Sequence, residues 1–149
     1  VDMEYKLNQI TAERGKPSLV VIDYLQYVRA LDERKSETDK TTANSRELKA
    51  LAKRFDVPFI ILSQLNRGPE ARDDKRPLMS DLRQSGGIEQ DADIIMMLYR
   101  DEYYNPDTEK KNIAELIITK QRNGPTGTIE LLWNADHQEF LSLEKYRRQ

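Results

Sequence analysis

Residues 19–26 read LVVIDYLQ, an unbroken β-branched apolar run that stops at Asp23. A run without polar alternation predicts a strand covered on both faces, as in a parallel sheet. Downstream, Leu48, Leu51, Ala52 and Phe55 form one apolar stripe and predict a helix over about 42–55. Val57-Pro58 ends it, because proline pushes the residue before it toward extended geometry. FIIL (59–62) then predicts a second buried strand, completing a βαβ unit expected to cross over right-handed. Upstream, Met3, Leu7 and Ile10 recur at helical spacing, with Gly15 as a helix stop and Pro17 blocking continuation.

The rest of the chain changes character. Residues 29–42 are a charged, polar loop, and 66–80 form a second one, longer than a simple connection needs. Loops of that length are usually functional or disordered. A short helical turn near 81–84 leads to Gly86-Gly87, and IIMML (94–98) predicts a third apolar strand. IAELIITK (113–120) and TIELLW (128–133) flank the turn signal NGPTG (123–127) and predict an antiparallel hairpin, with a further short strand over 138–143. The expected fold class is therefore α/β, a parallel sheet with antiparallel hairpin strands at one edge. Trp133 is expected in the core, His137 on a surface hairpin, and Asp101-Glu102-Tyr103-Tyr104 in a solvated loop.

Composition narrows the function classes. The 149 residues are 38% hydrophobic and 34% charged, enough for one ordinary domain with a real core. No apolar run approaches the roughly 18 residues of a membrane span, and the N-terminus has no signal-peptide core. The absence of cysteine excludes disulfides and thiolate metal sites and fits a cytoplasmic protein. A net charge of −2 gives no global basic footprint, so any contact with nucleic acid must come from a few locally placed groups.

Several residues could carry chemistry. Asp23 closes a buried strand at the carboxyl edge of the sheet, where open α/β folds bind ligands. Taken alone, an aspartate there is a turn or cap signal. Gln64 closes the next strand in the same way, after Ser63, and two polar strand ends on one edge would converge on one crevice. In SDLRQSGG (80–87), Gly86 and Gly87 let backbone N–H groups approach an anion, with Arg83 adding charge. That chemistry suits a DNA phosphate read without regard to sequence, though an ordinary glycine turn reads the same way. Lys120 and Arg122 lie two residues apart near a strand end, so both side chains point to one face. Two adjacent cations repel and suit an anion outside the chain; the alternative is a solvated edge strand protected by charge.

The blocks LVVIDYLQ (19–26), ILSQLNR (61–67), KRPLMSDLRQSGGIEQDADIIMMLYRDEYY (75–104) and KQRNGPTGTIEL (120–131) occur in one order. Together they closely resemble the C-terminal, RecA-like motor domain of the DnaB family of hexameric replicative helicases, over about residues 1–143. The resemblance implies a partial RecA-like P-loop NTPase core running from the Walker B strand to the C-terminal hairpin. It assigns Asp23 to holding Mg²⁺ indirectly, through water, and Gln64 to sensing the γ-phosphate of ATP. It places Arg83, Gln84 and Gly86 on the loop that grips single-stranded DNA. Lys120 and Arg122 match the pair that reaches a neighbouring subunit's γ-phosphate, so all four of Asp23, Gln64, Lys120 and Arg122 count as catalytic and nucleotide-binding. Relatives are expected to carry glutamate at position 84 and alanine or serine at 87. The implied partners are single-stranded DNA, a homo-hexamer, a helicase loader and primase.

No G-x-x-x-x-G-K-[S/T] occurs; Gly15-Lys16 is followed by Pro17, with Ile10 where the first glycine would stand. The expectation is a piece of a longer chain, with the phosphate-binding loop and the N-terminal primase-contacting domain outside it, and inactive alone. Two other readings stay open: a non-enzymatic RecA-like module that associates with a helicase ring or loader, and a recombination-type RecA-like ATPase.

Overall fold

The computed structural model describes residues 3–28, 34, 36–85 and 87–143, and of 83–85 the backbone only. The regular elements are α1 (Met3–Arg14), β1 (Val20–Ile22), α2 (Glu37–Phe55), β2 (Phe59–Ile61), α3 (Ile88–Asp91), β3 (Ile94–Tyr99), α4 (Asp101–Tyr104), β4 (Ile113–Gln121), β5 (Gly127–Asn134) and β6 (Glu139–Ser142). They divide into two compact units, Val1–Asn66 with Leu82–Ala92, and Arg67–Asp81 with Asp93–Gln149.

In the first unit β1 and β2 pair in parallel, Val20 opposite Phe59, Val21 opposite Ile60 and Ile22 opposite Ile61. The core gathers Leu25, Leu48 and Leu51, with Met3, Ile22, Val28, Phe55, Phe59, Ile61 and Ile88 packed against them. The stripe on α2 is therefore what the strands fold onto. Val21 and Ile60 on the other face are exposed, as are the flanking Leu19 and Leu62, so the described residues cover one face of this sheet and not both.

Helix α2 starts at Glu37, earlier than the apolar stripe predicts. Its first turns present buried polar residues instead: Thr41 donates to the Glu37 carbonyl, and Asn44 Nδ2 donates to the Val28 carbonyl at 2.7 Å. Ser36 caps the start by accepting from the Asp39 N–H at 3.2 Å. Asp56 ends the helix in left-handed geometry at φ 49°, where Lys16 pairs with its carboxylate at 2.6 Å. Gly15 ends α1 likewise, at φ 85°.

The second unit is an antiparallel meander in the order β3-β4-β5-β6. Parallel strands and an antiparallel hairpin are both present as expected, and hydrogen bonding separates them into two sheets, with IIMML in the antiparallel one. Along β3 burial alternates, Ile95, Met97 and Tyr99 inward and Ile94, Met96 and Leu98 outward. Residues 101–104 are not a solvated loop but α4: Tyr99 Oη donates to Asp101 at 2.6 Å, Thr108 Oγ1 donates to the same carboxylate, and Tyr104 stacks on Tyr99. Burial and the Asp101 contact push the Tyr99 phenol up to about 12. Trp133 is half-buried rather than a core residue, lying against Phe140 with the Arg100 guanidinium over its ring at 4.8 Å. His137 is exposed.

Leu48 is 2% exposed at the centre of the first unit. Leu48→Ala is expected to lower the unfolding free energy by about 2–5 kcal/mol, read from urea denaturation. Val21→Ala, on the exposed face, is expected to change it by less than about 1 kcal/mol.

Candidate functional site

The carboxyl edge of the parallel pair is built by backbone hydrogen bonds that run past the strands. Leu62 N–H donates to the Ile22 carbonyl at 2.9 Å, and Leu25 N–H to the Leu62 carbonyl at 2.8 Å. Asp23 and Gln64 therefore leave adjacent strands at the same edge, and both are exposed. The Asp23–Tyr24 peptide is cis. Gln26 is the residue that sequence reasoning passed over here. Its side-chain oxygen accepts from the Gln64 N–H at 3.3 Å, and its amide donates to Ser63 Oγ at 3.2 Å. Gln26 so holds the backbone from which the Gln64 side chain projects. The signal was present in LVVIDYLQ, but an exposed glutamine four residues beyond a strand end carries no distinctive pattern.

This edge fits a magnesium nucleotide. Magnesium keeps much of its water and takes one or two carboxylates plus phosphate oxygens. An exposed carboxylate at a strand end, with a backbone-anchored glutamine amide on the neighbouring strand, offers that donor set. Among the described residues no group of three or more histidine, cysteine or acidic side chains gathers to hold a metal directly.

Charge pairs, together with the buried Pro69 and Pro77, order the 67–81 segment. Turns of 3-10 helix form at Pro69–Ala71 and Met79–Ser85. Arg72 donates both Nη groups to the buried Asp81 carboxylate at 2.9 and 2.8 Å, and Nη2 also to the Arg76 carbonyl at 2.8 Å. The Leu78 N–H donates to Asp81 at 2.7 Å. Arg72, first, and this N–H hold the Asp81 carboxyl below the usual carboxylate range against its burial. Of the DNA-grip candidates, Arg83 and Gln84 have their backbone in the second 3-10 turn, while their side chains and Gly86 lie outside the described residues. Gly87 is described, and it packs on α2. A Cβ there would stand 2.9 Å from Thr42 Cγ2 and 3.2 Å from Asp91 Oδ2. Close approach to α2 thus gives a packing reason for glycine here: with Thr42 as it stands, a Cβ would force its methyl to shift.

Lys120 and Arg122 stand at the end of β4, and a bulge sets their direction. Met96 pairs with Ile118 but Ile95 pairs with Lys120, leaving Thr119 as the extra residue. Thr119 Oγ1 donates to the Ile95 carbonyl at 3.3 Å. Glu115 and Ile117 lie opposite the inward Tyr99 and Met97, and the bulge brings Lys120, opposite the inward Ile95, to that same side. Arg122 N–H continues the ladder to the Asp93 carbonyl at 3.0 Å, and its Nε lies 3.6 Å from the Asp93 carboxylate. The bulge thus chooses the face on which Lys120 emerges, while Arg122 follows the last residue of β4 in the turn. Without it, Lys120 would emerge on the face away from Glu115 and Ile117.

Arg76 joins this sheet to the 67–81 segment. Its Nε and Nη2 donate to Glu115 at 2.7 and 2.8 Å, and its guanidinium lies 4.6 Å over the Tyr99 ring. Lys110 bridges Glu115 and Glu130 at 3.1 and 2.8 Å. Arg76 and then Lys110 hold the Glu115 carboxyl below its ordinary range despite burial.

Residues 1–142 match the family model described as the DnaB-like helicase C terminal domain. The chain is 50% identical over 145 residues to the replicative DNA helicase DnaB of Geobacillus stearothermophilus, covering 97% of this chain and 32% of that protein. It is 49% identical over 148 residues to the replicative DNA helicase DnaC of Bacillus subtilis (strain 168), covering 97% and 32%. The chain thus spans about a third of the length of the curated relatives it matches. Among solved structures, one described as an ATPase domain superposes with a TM-score of 0.89 at 46% identity, over 95% of this chain and 50% of that one. A DnaB-like replicative helicase, whose structure describes its interactions with primase, gives 0.88 at 46% identity, over 95% and 34%.

Two outcomes follow from the packing and charge of this region. Gly87→Ala is expected to destabilise the fold by about 1–3 kcal/mol through overpacking, and Thr42→Ser, which removes the Cγ2 methyl, to recover most of the loss; urea midpoints of the four variants read it. Asp81 and Glu115 have lowered folded pKa values, so their contribution is complete above the unfolded values and is lost as pH falls through the folded ones. The melting temperature is expected to hold from neutrality to about pH 5 and to fall below about pH 4, with a shallower acid decline in Glu115→Gln.

Proposed function

This chain belongs to the DnaB-like helicase C-terminal domain family, and from that premise we propose that it forms the second half of an ATP-driven, hexameric helicase motor. In this reading the motor travels 5′ to 3′ on single-stranded DNA in the cytoplasm and unwinds duplex at the replication fork. The observation that carries it is an exposed Asp23 and Gln64 on one sheet edge in the first unit and, in the second, Lys120 and Arg122 at the end of β4. These are the two halves of a nucleotide site shared between neighbouring subunits of a ring.

When bound, magnesium ATP supplies the scissile phosphoanhydride and the free energy. The chain's own residues hold and sense it. Asp23 would hold the magnesium through water, and Gln64 would sense the terminal phosphate from a backbone fixed by Gln26. Lys120 and Arg122 lower the cost of charge that develops on the phosphoryl group of the adjacent subunit. Arg83, Gln84 and Gly86 contact DNA phosphates without reading sequence. The phosphate cradle comes from sequence outside residues 1–149, since no P-loop pattern occurs within them. The primase-contacting domain likewise lies outside these residues, and a helicase loader is a further partner in this reading. The 149 residues alone are then without ATPase activity.

In the full-length ring, Arg122→Ala is expected to lower ATP hydrolysis by roughly 10³- to 10⁵-fold. Mixing those subunits with Asp23→Ala subunits should restore part of the rate, because each mutant keeps what the other lacks. Mixed rings as inactive as either parent would sink the shared site. Hydrolysis by the isolated 149 residues would overturn the assignment of the phosphate cradle to another segment.

A further inference from the structure

Glu115 is 5% exposed in the middle of β4, and the group that neutralises it comes from the 67–81 segment. That segment is continuous in sequence with the Gln64 strand end on one side and with residues 82–87 on the other. On β4 itself, Glu115 and Lys120 emerge on the same side, five positions apart, with the bulge between them. Arg76 is held at more points than a surface ion pair needs. Asp74 Oδ1 accepts from its backbone N–H at 3.0 Å and from Nη1 at 3.2 Å, its carbonyl accepts from Arg72, and its guanidinium covers Tyr99. Arg72 in turn grips Asp81 at the start of the 3-10 turn that leads to the loop.

We propose that Arg76, through its bidentate grip on Glu115, is a positioning residue that couples the 67–81 segment to the Lys120 end of β4. The proposal rests on the helicase reading above and adds to it a route by which DNA held by the residues next in sequence influences the trans-acting cations. A planar guanidinium locked by two parallel hydrogen bonds fixes both distance and orientation. A shift of the 67–81 segment that moves Arg76 therefore moves β4, which a single-point contact would not do. Lysine cannot replace the fork, although it keeps the charge.

The test is steady-state ATP hydrolysis by full-length rings of wild type, Arg76→Lys, Glu115→Gln and the double variant, with and without saturating single-stranded oligonucleotide. Arg76→Lys is expected to cut the stimulation by DNA by roughly threefold to thirtyfold, while hydrolysis without DNA and the KM for ATP stay within about twofold. The double variant should lose no more than the worse single, because both remove one link. Equal loss with and without DNA, or additive losses in the double, overturns the coupling role and leaves a structural one. A second measurement needs no variant: amide hydrogen exchange over residues 113–121 of the wild-type ring should change when the oligonucleotide binds, and an unchanged profile overturns the proposal. A wild-type ring whose hydrolysis DNA does not stimulate sinks the helicase reading, and this inference with it; a stimulated wild type matched by Arg76→Lys sinks the inference alone.

Discussion

A carboxylate in the middle of a sheet has to be neutralised where it stands, because an unpaired buried charge is costly. Glu115 is such a group, flanked on one side by Tyr99 of β3 and on the other by Glu130 of β5. Arg76 answers it from outside the sheet and Lys110 from the connection before β4. The long polar segment over 67–81 is therefore not a free loop, since its half-buried Arg76 pairs with a buried carboxylate of the second unit. A hydrophobic isostere of Glu115 would pack as well and would give Arg76 no reason to be there. What the ion pair contributes is a second anchor for a segment that otherwise buries only Pro69 and Pro77 among its apolar side chains.

Apolar periodicity made some of this legible and concealed the rest. The runs over 19–22, 59–62 and 94–98 and the turn at 123–127 gave the strands and the hairpin, because continuous or alternating apolar residues leave few conformations that hide them. The start of α2 escaped because its first turns bury Thr41, Asn44 and Ser45, whose burial depends on hydrogen bonds that no pattern displays. The order in 67–81 escaped for the same reason: in sequence its arginines and aspartates read as solvated charge. Asp101 to Tyr104 misled in the same way, since Tyr99 and Thr108 supply partners that lie apart in the chain.

The site residues divide along the same line. Asp23 and Gln64 were visible because a strand end is visible, and Lys120 and Arg122 because a spacing of two implies one face. Which face required the register, as the extra residue at Thr119 cannot be seen without the partner strand. Gln26 required the crossing of two strand ends. Gly87 carries a different lesson: as a sequence feature it suggested anion binding, while its contact with Thr42 gives a packing reason for the same residue.

The slightly acidic balance of the chain counted in sequence as mild discouragement for nucleic acid. The structure shows why that count is a poor guide. Arg72, Arg76 and Lys110 are neutralised by Asp81, Glu115 and Glu130 within the second unit, so their charge builds the fold instead of a surface potential. Binding of a phosphate backbone scales with the number of counterions released, which is a property of all contacts made together. A ring that repeats one small loop around a strand reaches a useful number of contacts although each subunit supplies few. In the proposed ring, every loop would have to act in step with its neighbours' nucleotide sites. An ion-paired attachment of the 67–81 segment to β4 would meet that requirement better than a flexible one, and under that proposal the charge pairs of 67–81 would serve function as well as stability.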